Sequence, residues 1–447
     1  MADRIIKNFD VLATTPLRRD GLEILEAGYE AVMPAKVISE TVTRNGDILN
    51  IKDVPPGSMA GSVDETINLA DFERVFFVAV GKCAVAVATV LEPLIADKLT
   101  AGIVLDVVSG NFTKIKSLVG THPLVSEQNV TATKEIVAML TGLTEKDLVL
   151  ISVSGGGSAL LTMPFALTLD QIKELTELAF SKGTTIEDLN IVRRHLSQVK
   201  GGGLAKIIYP AHAVALIFSD VPGNELSSVA SGPTVFDKTM VADAQAVIAK
   251  YGVFDVLSWP GFELTETPKD EKYFKNVKNI LLLTNETGLL AMKAKAEALG
   301  YAAFLEDEAI QGVAGEVGWN LVKTSLPDKS CFIYGGETTV EVKGEGKGGR
   351  CQELALSALV GMREGELLIS ATSDGWDNTE ASGALADRDL LNSVIPAEAG
   401  ILSDVEKIIN EHLANNSSYD FFQKFGGQIV TGRTGANVSD FYIVIKK

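Results

Sequence analysis

A lysine follows a glycine directly after a run of apolar residues. The run is RVFFVAV at 74–80, and Gly81 and Lys82 come next, just before a segment with helical character. Because the N-terminus of a helix presents backbone N–H groups with no partner inside the helix, a lysine held there can help to bind an anion. The segment is not a phosphate-binding loop of the GxxxxGK(S/T) type, since Cys83 replaces the Ser or Thr and no glycine stands five positions before Gly81. A lysine at a strand end can also be a solvated surface residue.

A loop of small residues ends a second apolar run, DLVLISV. The loop consists of Ser154, Gly155, Gly156, Gly157 and Ser158. Consecutive glycines cost conformational entropy, so they indicate a need for positive φ or for a close approach of the backbone to something else. Exposed N–H groups in such a loop form a nest that binds phosphate or carboxylate. We therefore predict that this loop binds nucleotide or phosphate, the alternative being a tight turn with no ligand.

A third glycine-rich loop carries side-chain charge. Gly344, Gly346 and Gly349 form the pattern GxGxxG, with Lys347 inside it and Arg350 directly after it. The pattern matches a dinucleotide-binding fingerprint, but the preceding TTVEVK alternates polar and apolar residues, which predicts an edge or antiparallel strand. Basic residues inside a glycine loop suit multiply charged phosphates. We predict that Gly346, Lys347 and Gly349 bind phosphate, the alternative being a solvated hairpin tip.

Carboxylates stand at the ends of two further apolar runs. Asp220 ends ALIFSD, and Asp374 ends ELLISATSD, with Asp377 three residues further on. Glu337 stands directly before TTVEVK. Carboxylates at strand ends suit a nucleotide–magnesium complex or a general base. Each of them can instead cap a helix.

Positive charge is concentrated in LNIVRRHLSQVKGGGLAK. A chain with a net charge of −18 has to gather positive charge locally if it binds an anion. Arg193, Arg194 and Lys200 surround a predicted helix that ends at the glycines 201–203. We predict that Arg193 and Lys200 bind an anionic substrate, the alternative being a solvated helix face.

The elements that position these residues are short apolar runs alternating with longer helical segments. Unbroken apolar runs are typical of strands buried on both faces of a parallel sheet covered by helices, and ligands bind beyond the carboxyl ends of such strands. We predict an α/β protein of two domains. Residues 1–275 form a doubly wound, Rossmann-like domain with a mostly parallel sheet, an N-terminal helix and a linker excursion at about 254–275. Residues 276–447 form a second α/β domain.

The bulk composition excludes several classes of protein. The acidic balance argues against a nucleic-acid binder. Cys83, Cys331 and Cys351 are odd in number and contain no CxxC pair, so we predict small buried residues and no zinc site. Without a run of about 18 apolar residues or a secretory signal, we expect a cytoplasmic protein with no membrane contact. Monomer and homodimer both stay open.

The combination of a strand-end lysine, glycine nests, a basic helix and strand-end aspartates predicts phosphoryl transfer, which depends on positioning and charge neutralisation. Taken together the motifs resemble the glycerate 2-kinase family, whose C-terminal part is known as the MOFRL domain. Seven blocks in order carry the resemblance, from about residue 8 to the C-terminus: VAVGKCA, THPL, LVLISVSGGGSALL, NIVRRHLSQVKGGGLA, SDVPG with SGPT, GGETTVEVKGEGKGGRCQELAL and TGRTGANVSDF.

The resemblance implies two α/β domains with the active site in the cleft between them. It also implies that D-glycerate and ATP are converted to 2-phosphoglycerate and ADP with a divalent cation, usually magnesium. Lys82 matches the family's active-site lysine, and Arg350 matches its essential arginine. Asp374 matches the aspartate of its SDG step, and Asp220 matches its strand-end aspartate. We expect Asp374 to act as the base and Asp220 to lie near the metal.

The remaining matches concern binding. The triple-glycine loop matches residues 154–158, and the TGxTGxN block places Asn437 and Asp440 near the cleft. We expect Arg193, Lys200, Glu337 and Asn437 to contact the substrate. The sequence departs from the family's usual pattern at residues close to these motifs, namely Cys351, Trp376, Asn378 and Arg433.

Two alternatives stay open. The first is reduction of hydroxypyruvate with NAD(P)H, which would use the glycines at 344–349. The second is a nucleotide-binding protein without catalysis. For the kinase, we expect Lys82→Ala and Arg350→Ala each to lower turnover by orders of magnitude and to leave folding intact.

Overall fold

The computed structural model describes residues 4–52, 64–165, 167–221, 225–253, 256, 258–260, 262–394 and 402–447. The predicted linker at 254–275 and the SDVPG block therefore lie partly outside the described residues. The chain divides into two compact units. The central unit is Val37–Leu283, and the terminal unit combines Met1–Lys36 with Thr284–Lys447.

The secondary structure alternates strands and helices, as the sequence predicts. The strands of the described residues are β1 Val42–Asn45, β2 Ile48–Ile51, β3 Glu65–Asn68, β4 Arg74–Val80, β5 Leu99–Asp106, β6 Ile115–Val119, β7 Asp147–Val153, β8 His212–Phe218, β9 Val277–Leu283, β10 Ala302–Ile310, β11 Ser330–Gly336, β12 Glu366–Thr372, β13 Gly383–Asp387, β14 Gln428–Ile429 and β15 Asp440–Lys446. The α-helices are α1 Phe9–Leu12, α2 Pro16–Val32, α3 Pro34–Thr41, α4 Ala84–Ile95, α5 Glu127–Met139, α6 Gly157–Leu160, α7 Leu169–Ser181, α8 Ile186–Arg194, α9 Gly203–Ile208, α10 Val241–Tyr251, α11 Asn285–Ala298, α12 Ala314–Val322, α13 Arg350–Leu359, α14 Arg388–Val394, α15 Leu402–Ala414 and α16 Ser418–Phe425.

The main sheet of the central unit is a doubly wound parallel sheet. Its strand order is β6-β5-β4-β7-β8-β9, and each neighbouring pair is parallel. The chain leaves β4 toward β5 on one side and continues from β7 on the other, so the strand order reverses between β4 and β7. A crevice forms at such a switch point beyond the carboxyl ends of the strands, and ligands bind there. The Gly81–Lys82 step follows β4 and the triple-glycine loop follows β7, so both predicted motifs lie at this point.

The boundary of the central unit differs from the predicted one in two places. Strand β9, which we placed in the second domain, pairs in parallel with β8 and completes the first sheet. Helix α2 belongs to the terminal unit, because it packs against α11 and the sheet behind it. Gly28 of α2 lies against Met292 of α11, and the hydroxyl of Tyr29 donates to the carbonyl of Thr372 at 2.9 Å.

The sheet of the terminal unit is mixed. Its order is β10-β11-β15-β12-β13-β14, and only β10 and β11 form a parallel pair. Because β15 runs antiparallel between β11 and β12, the ends of β11 and β12 and the beginning of β15 meet at one edge. Glu337 follows β11, Asp374 follows β12, and Asp440 begins β15 at that edge.

The prediction of a strand at TTVEVK was wrong. The backbone there makes only an isolated bridge between Thr339 and Val313. The next N–H groups, those of Lys343 and Gly344, donate to the side-chain oxygen of Asn416 at 2.6 and 2.9 Å. The segment therefore binds a turn instead of a strand, which the alternation of residue types does not indicate.

The cysteines and the helices agree with two further features of the sequence. The three cysteines are buried thiols, as predicted. None of the described helices combines the length and the apolar character needed to cross a membrane.

Candidate active site

The Gly81–Lys82 step and the triple-glycine loop interlock through their backbones. The Lys82 N–H donates to the carbonyl of Gly155 at 2.9 Å, and the Cys83 N–H donates to the Ser154 hydroxyl at 3.2 Å. Gly81 has a φ of +123° and contacts Ser154 so closely that no Cβ fits between them. Gly81 is therefore required for the close packing of its backbone against the triple-glycine loop.

This contact gives a test of backbone packing at the site. A Cβ on Gly81 would lie 2.1 Å from the Ser154 hydroxyl oxygen. We expect Gly81→Ala to lower the free energy of unfolding by about 3 kcal/mol or more, through strain and displaced backbone. Gly46→Ala is the matched control, because Gly46 also has positive φ but no atom within 4 Å of its added Cβ, and about 1 kcal/mol is expected. Urea unfolding measures both, and equal losses would contradict the packing argument.

The side chain of Lys82 lies against the triple-glycine loop. A Cβ on Gly156 would be 3.1 Å from Lys82 Cγ and 3.2 Å from His122 Cδ2, so both side chains border this glycine. Gly156 has a φ of +83°, which favours glycine. The structure thus brings together Lys82 and the loop 154–158, as predicted, and adds His122. Apart from the place of His122 in the THPL block, no sequence pattern indicates it.

Lys200 supports the loop from behind. Its side chain is 6% exposed, and its ammonium donates to the carbonyls of Ser158 and, at 3.2 Å, Leu161. Ser158 also hydrogen-bonds Ser231 at 2.9 Å. Burial, with the nearby charge of Arg193, lowers the pKa of Lys200 to about 7. Lys200 therefore holds the end of α6, while the predicted contact with substrate stays a prediction.

The lowered pKa of Lys200 makes stability depend on pH. Between about pH 7 and the ordinary value of 10.5, the unfolded chain binds more protons than the folded one, so this residue makes stability rise with pH across that window. Between pH 7 and pH 10.5, we expect the free energy of unfolding of the wild type to rise by up to about 4 kcal/mol relative to that of Lys200→Met. Denaturant unfolding at several pH values measures the difference. Lys206→Met, at an exposed position of α9, is the control, and a pH-independent difference for Lys200→Met would refute the expectation.

The neighbouring arginines have separate surroundings. The Nη2 of Arg193 donates to the Thr176 hydroxyl at 3.1 Å, and burial lowers the pKa of Arg193. Arg194 is buried with its Nε 3.2 Å from Asp237. The predicted helix ends before the glycines 201–203, since α8 ends at Arg194 and α9 begins at Gly203. The charge of Arg194 is thus partly compensated within the fold, whereas Arg193 donates to a neutral hydroxyl.

Arg350 is the central cation of the terminal unit. It is the first residue of α13, after Gly349. Its Nε and Nη2 donate to the two carboxylate oxygens of Asp440 at 2.7 and 2.8 Å, and its Nη1 lies 3.2 Å from Glu337. Burial acts to lower the pKa of Arg350, but the charge and hydrogen bonds of Asp440 outweigh it and raise the pKa. The arginine is therefore charged and fixed, at a helix N-terminus that favours anions.

The loops after β12 and before β15 are joined. Thr434 donates through its N–H to the Asp374 carbonyl at 3.2 Å and through its hydroxyl to the Ser373 carbonyl at 2.6 Å. A carboxylate oxygen of Asp374 accepts the N–H of Trp376 at 2.9 Å. The segment that contains Asn437 thus lies beside the segment that contains Asp374. The structure brings Asp374, Glu337, Asn437 and Arg350 to one edge of one sheet.

Two departures from the family pattern meet at this edge. The guanidinium carbon of Arg433 lies 4.4 Å from the ring centre of Trp376, a cation–π distance. Cys351 is buried, which raises its pKa well above the ordinary value, so it packs as a small apolar residue.

Asp377 caps a helix. Its carboxylate accepts the N–H groups of Cys351 and Gln352 at 3.0 and 2.8 Å and the side-chain amide of Gln352 at 3.0 Å. Burial raises the pKa of Asp377 to about 6, against the effect of these hydrogen bonds. Of the two carboxylates in SDGWD, Asp377 therefore holds α13 in place and Asp374 is the one at the sheet edge.

The loop 344–349 is packed against the fold. A Cβ on Gly346 would lie 2.4 Å from the Asn415 carbonyl oxygen, and a Cβ on Gly349 would lie 1.9 Å from the Asp377 carbonyl oxygen. The ammonium of Lys347 pairs with Glu380 at 2.8 Å and lies 3.9 Å from the centre of the Tyr419 ring. The glycines are needed for this packing, and Lys347 would have to leave Glu380 to bind phosphate.

The carboxylates at the strand ends are the candidate ligands for magnesium. Among the described residues, no group of three or more His, Cys, Asp or Glu side chains could hold a metal ion. Magnesium bound with a nucleotide needs only one or two carboxylates, because phosphate oxygens and water complete its coordination. Asp374 and Glu337 at the edge of the terminal unit, and half-buried Asp220 just beyond β8, are oxygen donors of this kind. The residues present therefore fit a magnesium ion that arrives with a nucleotide.

Comparison with known proteins identifies the family. Residues 20–260 match the domain of unknown function DUF4147, and residues 330–440 match the MOFRL family. The chain is 33% identical to the D-glycerate 2-kinase of Thermotoga maritima, over 96% of this chain and 98% of that protein. The chain belongs to the glycerate 2-kinase family. The resemblance carried by the seven sequence blocks is thus confirmed.

A solved structure and a second relative complete the comparison. The crystal structure of glycerate kinase from Thermotoga maritima matches with a TM-score of 0.79 and 32% identity, over 96% of this chain and 99% of that chain. This likeness confirms the predicted α/β fold class. A relative from Agrobacterium vitis, provisionally named as a hydroxypyruvate reductase, is 35% identical over 83% of this chain and 87% of that protein.

Proposed function

We propose that this chain is a glycerate kinase that transfers the γ-phosphoryl group of ATP to the 2-hydroxyl of D-glycerate, giving 2-phosphoglycerate and ADP. The observation that carries the proposal is Arg350, a guanidinium fixed at a helix N-terminus and beside carboxylates at strand ends. Phosphoryl transfer requires such a preorganised positive charge together with a group that orients the attacking hydroxyl. The choice of glycerate is supported by the family and by the names of its members.

The terminal unit is assigned charge neutralisation and proton transfer. Arg350 binds oxygens of the transferred phosphoryl group through Nη1 and stabilises the charge that develops on them. Asp374 accepts the proton of the glycerate 2-hydroxyl as its oxygen forms the bond to phosphorus and the bond to the ADP oxygen breaks. Glu337 and Asn437, at the same edge, are proposed to hold the glycerate. Lys347 is proposed to leave Glu380 and bind phosphate, whereas Gly346 and Gly349 hold the loop against the fold.

The central unit is assigned phosphate binding. Lys82 and the backbone of the loop 154–158 lie at the switch point of a parallel sheet, where anions bind. Arg193 is proposed to bind the substrate anion, and Lys200 to keep the loop in shape. Bound with the nucleotide, magnesium would neutralise phosphate charge, with Asp220 as its proposed protein ligand.

The structure gives less support to a reductase. A dinucleotide fingerprint follows a strand directly and opens a helix within a βαβ unit. In the described residues 337–349, the GxGxxG segment is preceded by irregular backbone, and the Gly346 N–H already donates to the Asn415 carbonyl at 2.9 Å. The glycines of this loop therefore serve packing, and no cradle for a pyrophosphate is built from them.

A coupled ADP-release assay with magnesium and ATP tests the proposal. D-glycerate should give ADP, L-glycerate and hydroxypyruvate should give much less, and phosphorus NMR of the product should identify 2-phosphoglycerate. Oxidation of NADH or NADPH by hydroxypyruvate, without ADP release from glycerate, would establish the reductase instead. Formation of 3-phosphoglycerate would retain the kinase and overturn the assignment of the hydroxyl.

A further inference from the structure

Asp440 is a fully buried carboxylate at the functional edge of the terminal sheet. Its side chain is 0% exposed. It begins β15, where it lies opposite Gly336 in one antiparallel ladder and opposite Thr372 in the other. Its backbone is held as well, since the Asn285 side chain donates to the Asp440 carbonyl at 3.1 Å. The carboxylate thus has a fixed position set by the two central ladders of the sheet.

The carboxylate of Asp440 binds one edge of the Arg350 guanidinium. The pair is bidentate, at 2.7 Å from Nε to Oδ2 and 2.8 Å from Nη2 to Oδ1. The hydroxyl of Tyr442 donates to the same Oδ2 at 3.1 Å. Two parallel hydrogen bonds of this kind fix the plane of a guanidinium as well as its place.

Asp440 occupies Nε and Nη2 of Arg350, and the third nitrogen, Nη1, pairs with the carboxylate of Glu337 at 3.2 Å. A ligand anion that binds Nη1 therefore replaces Glu337 there. The Arg350 side chain is 31% exposed, whereas Asp440 behind it is sealed from water. A ligand anion can therefore reach Arg350 only on the side away from Asp440, and it meets a guanidinium whose orientation is already set.

We propose that Asp440 is a positioning residue for phosphoryl transfer, which orients Arg350 so that Nη1 faces the transferred phosphoryl group. The inference rests on the proposed function of the chain and adds a residue that the family resemblance only places near the site. Asp440 acts through Arg350 and does not touch the substrate. Its loss leaves Arg350 charged but free to turn, and a displacement of about 1 Å in such a group lowers turnover about 10²-fold.

A second bidentate pair in the same sheet provides a matched control. Arg18 binds Asp387 through Nε and Nη2 at 2.5 and 2.7 Å, and the two side chains are 12% and 7% exposed. Asp387 lies opposite Leu367, at the end of β12 remote from Thr372. The two pairs share their chemistry and their sheet but lie at opposite edges.

The experiment compares Asp440→Asn, Arg350→Lys, the double variant and Asp387→Asn in the full chain. Thermal unfolding reports the stability of each, and coupled ADP release gives kcat and KM for glycerate and ATP. We expect Asp440→Asn and Arg350→Lys each to lower kcat about 10²-fold, because a lysine lacks the guanidinium fork. The kcat of the double variant should be no more than about threefold below that of the slower single variant. Asp387→Asn should keep its kcat within about twofold while losing comparable stability.

The outcomes separate this role from the proposed function. A folded Asp440→Asn with wild-type kcat, or losses that multiply in the double variant, would overturn the positioning role. If the wild type forms no ADP from glycerate, the proposed function fails, and the affinity for ATP from calorimetry decides the role of Asp440. Asp440→Asn and Arg350→Lys should then weaken ATP binding by the same factor, and unchanged affinity in Asp440→Asn would overturn the inference.

Discussion

Replacing Arg350 by alanine is expected to lower kcat by about 10³-fold. The guanidinium is the fixed cation at the edge where the carboxylates of Glu337 and Asp374 also lie. Removing it leaves the charge of the transition state without this donor, and it also leaves the charge of the buried Asp440 carboxylate uncompensated behind the phosphoryl oxygens. Steady-state kinetics with glycerate and ATP measure the loss.

The same substitution is expected to destabilise the fold, which revises the expectation drawn from sequence. With Arg350 gone, the buried carboxylate of Asp440 loses a bidentate ion pair and keeps, among the described residues, the hydrogen bond from the Tyr442 hydroxyl. Breaking a fully buried pair from one side costs about 3–5 kcal/mol, and since Arg350 is 31% exposed we expect about 2–4 kcal/mol. The prediction that folding stays intact therefore does not extend to Arg350→Ala.

A second substitution separates the two effects. In Arg350→Ala with Asp440→Asn, the buried charge is absent, so part of the stability should return while kcat stays low. Arg18→Ala is the control, because it removes the arginine partner of Asp387 at the opposite edge of the sheet. It should lower stability and leave kcat nearly unchanged. If kcat recovered together with stability in the double variant, the loss in Arg350→Ala would reflect unfolding, and its assignment to catalysis would be wrong.

The sequence predicts burial well and strand direction poorly. The run ELLISAT is buried at every position, as its apolar character indicates. It nevertheless pairs antiparallel on both sides, with β15 and β13. A strand covered on both faces shows the same run of residues whichever way its neighbours point. Strand β13, GALAD, went unrecognised because its small residues carry little β-propensity.

At the site, the sequence likewise indicates which residues are functional but does not indicate which residues they contact. The sequence indicated Lys82, Arg350 and Asp374 because each stands where a strand or helix begins or ends. It could not indicate that Arg350 pairs with Asp440, which is 90 residues away. That pairing follows from the register of β15 between two strands, which no local pattern encodes. The glycines at 344–349 predicted a ligand-binding loop, whereas their close contacts are with the backbone of the protein itself.

Lys82→Met is expected to lower kcat by about 10²-fold or more, the second large effect. Methionine keeps most of the aliphatic stem beside Gly156 and removes the charge. The backbone hydrogen bond from residue 82 to Gly155 does not depend on the side chain. The contact between the Gly81–Lys82 step and the triple-glycine loop should therefore persist. The loss should therefore appear in the kinetics while the unfolding transition changes little.

A lysine at the other end of the same sheet gives the control for Lys82. Lys146 precedes β7 at its amino end, is exposed and pairs with Glu73. Ligands of parallel sheets bind at the carboxyl ends of the strands, so Lys146→Met removes the same charge from the same unit without approaching the crevice. We expect its kcat to stay within about twofold of wild type. Equal kinetics for the two variants would show that charge at the β4–β7 switch point plays no part in phosphoryl transfer, and Lys82 would then be a surface lysine that happens to follow a strand.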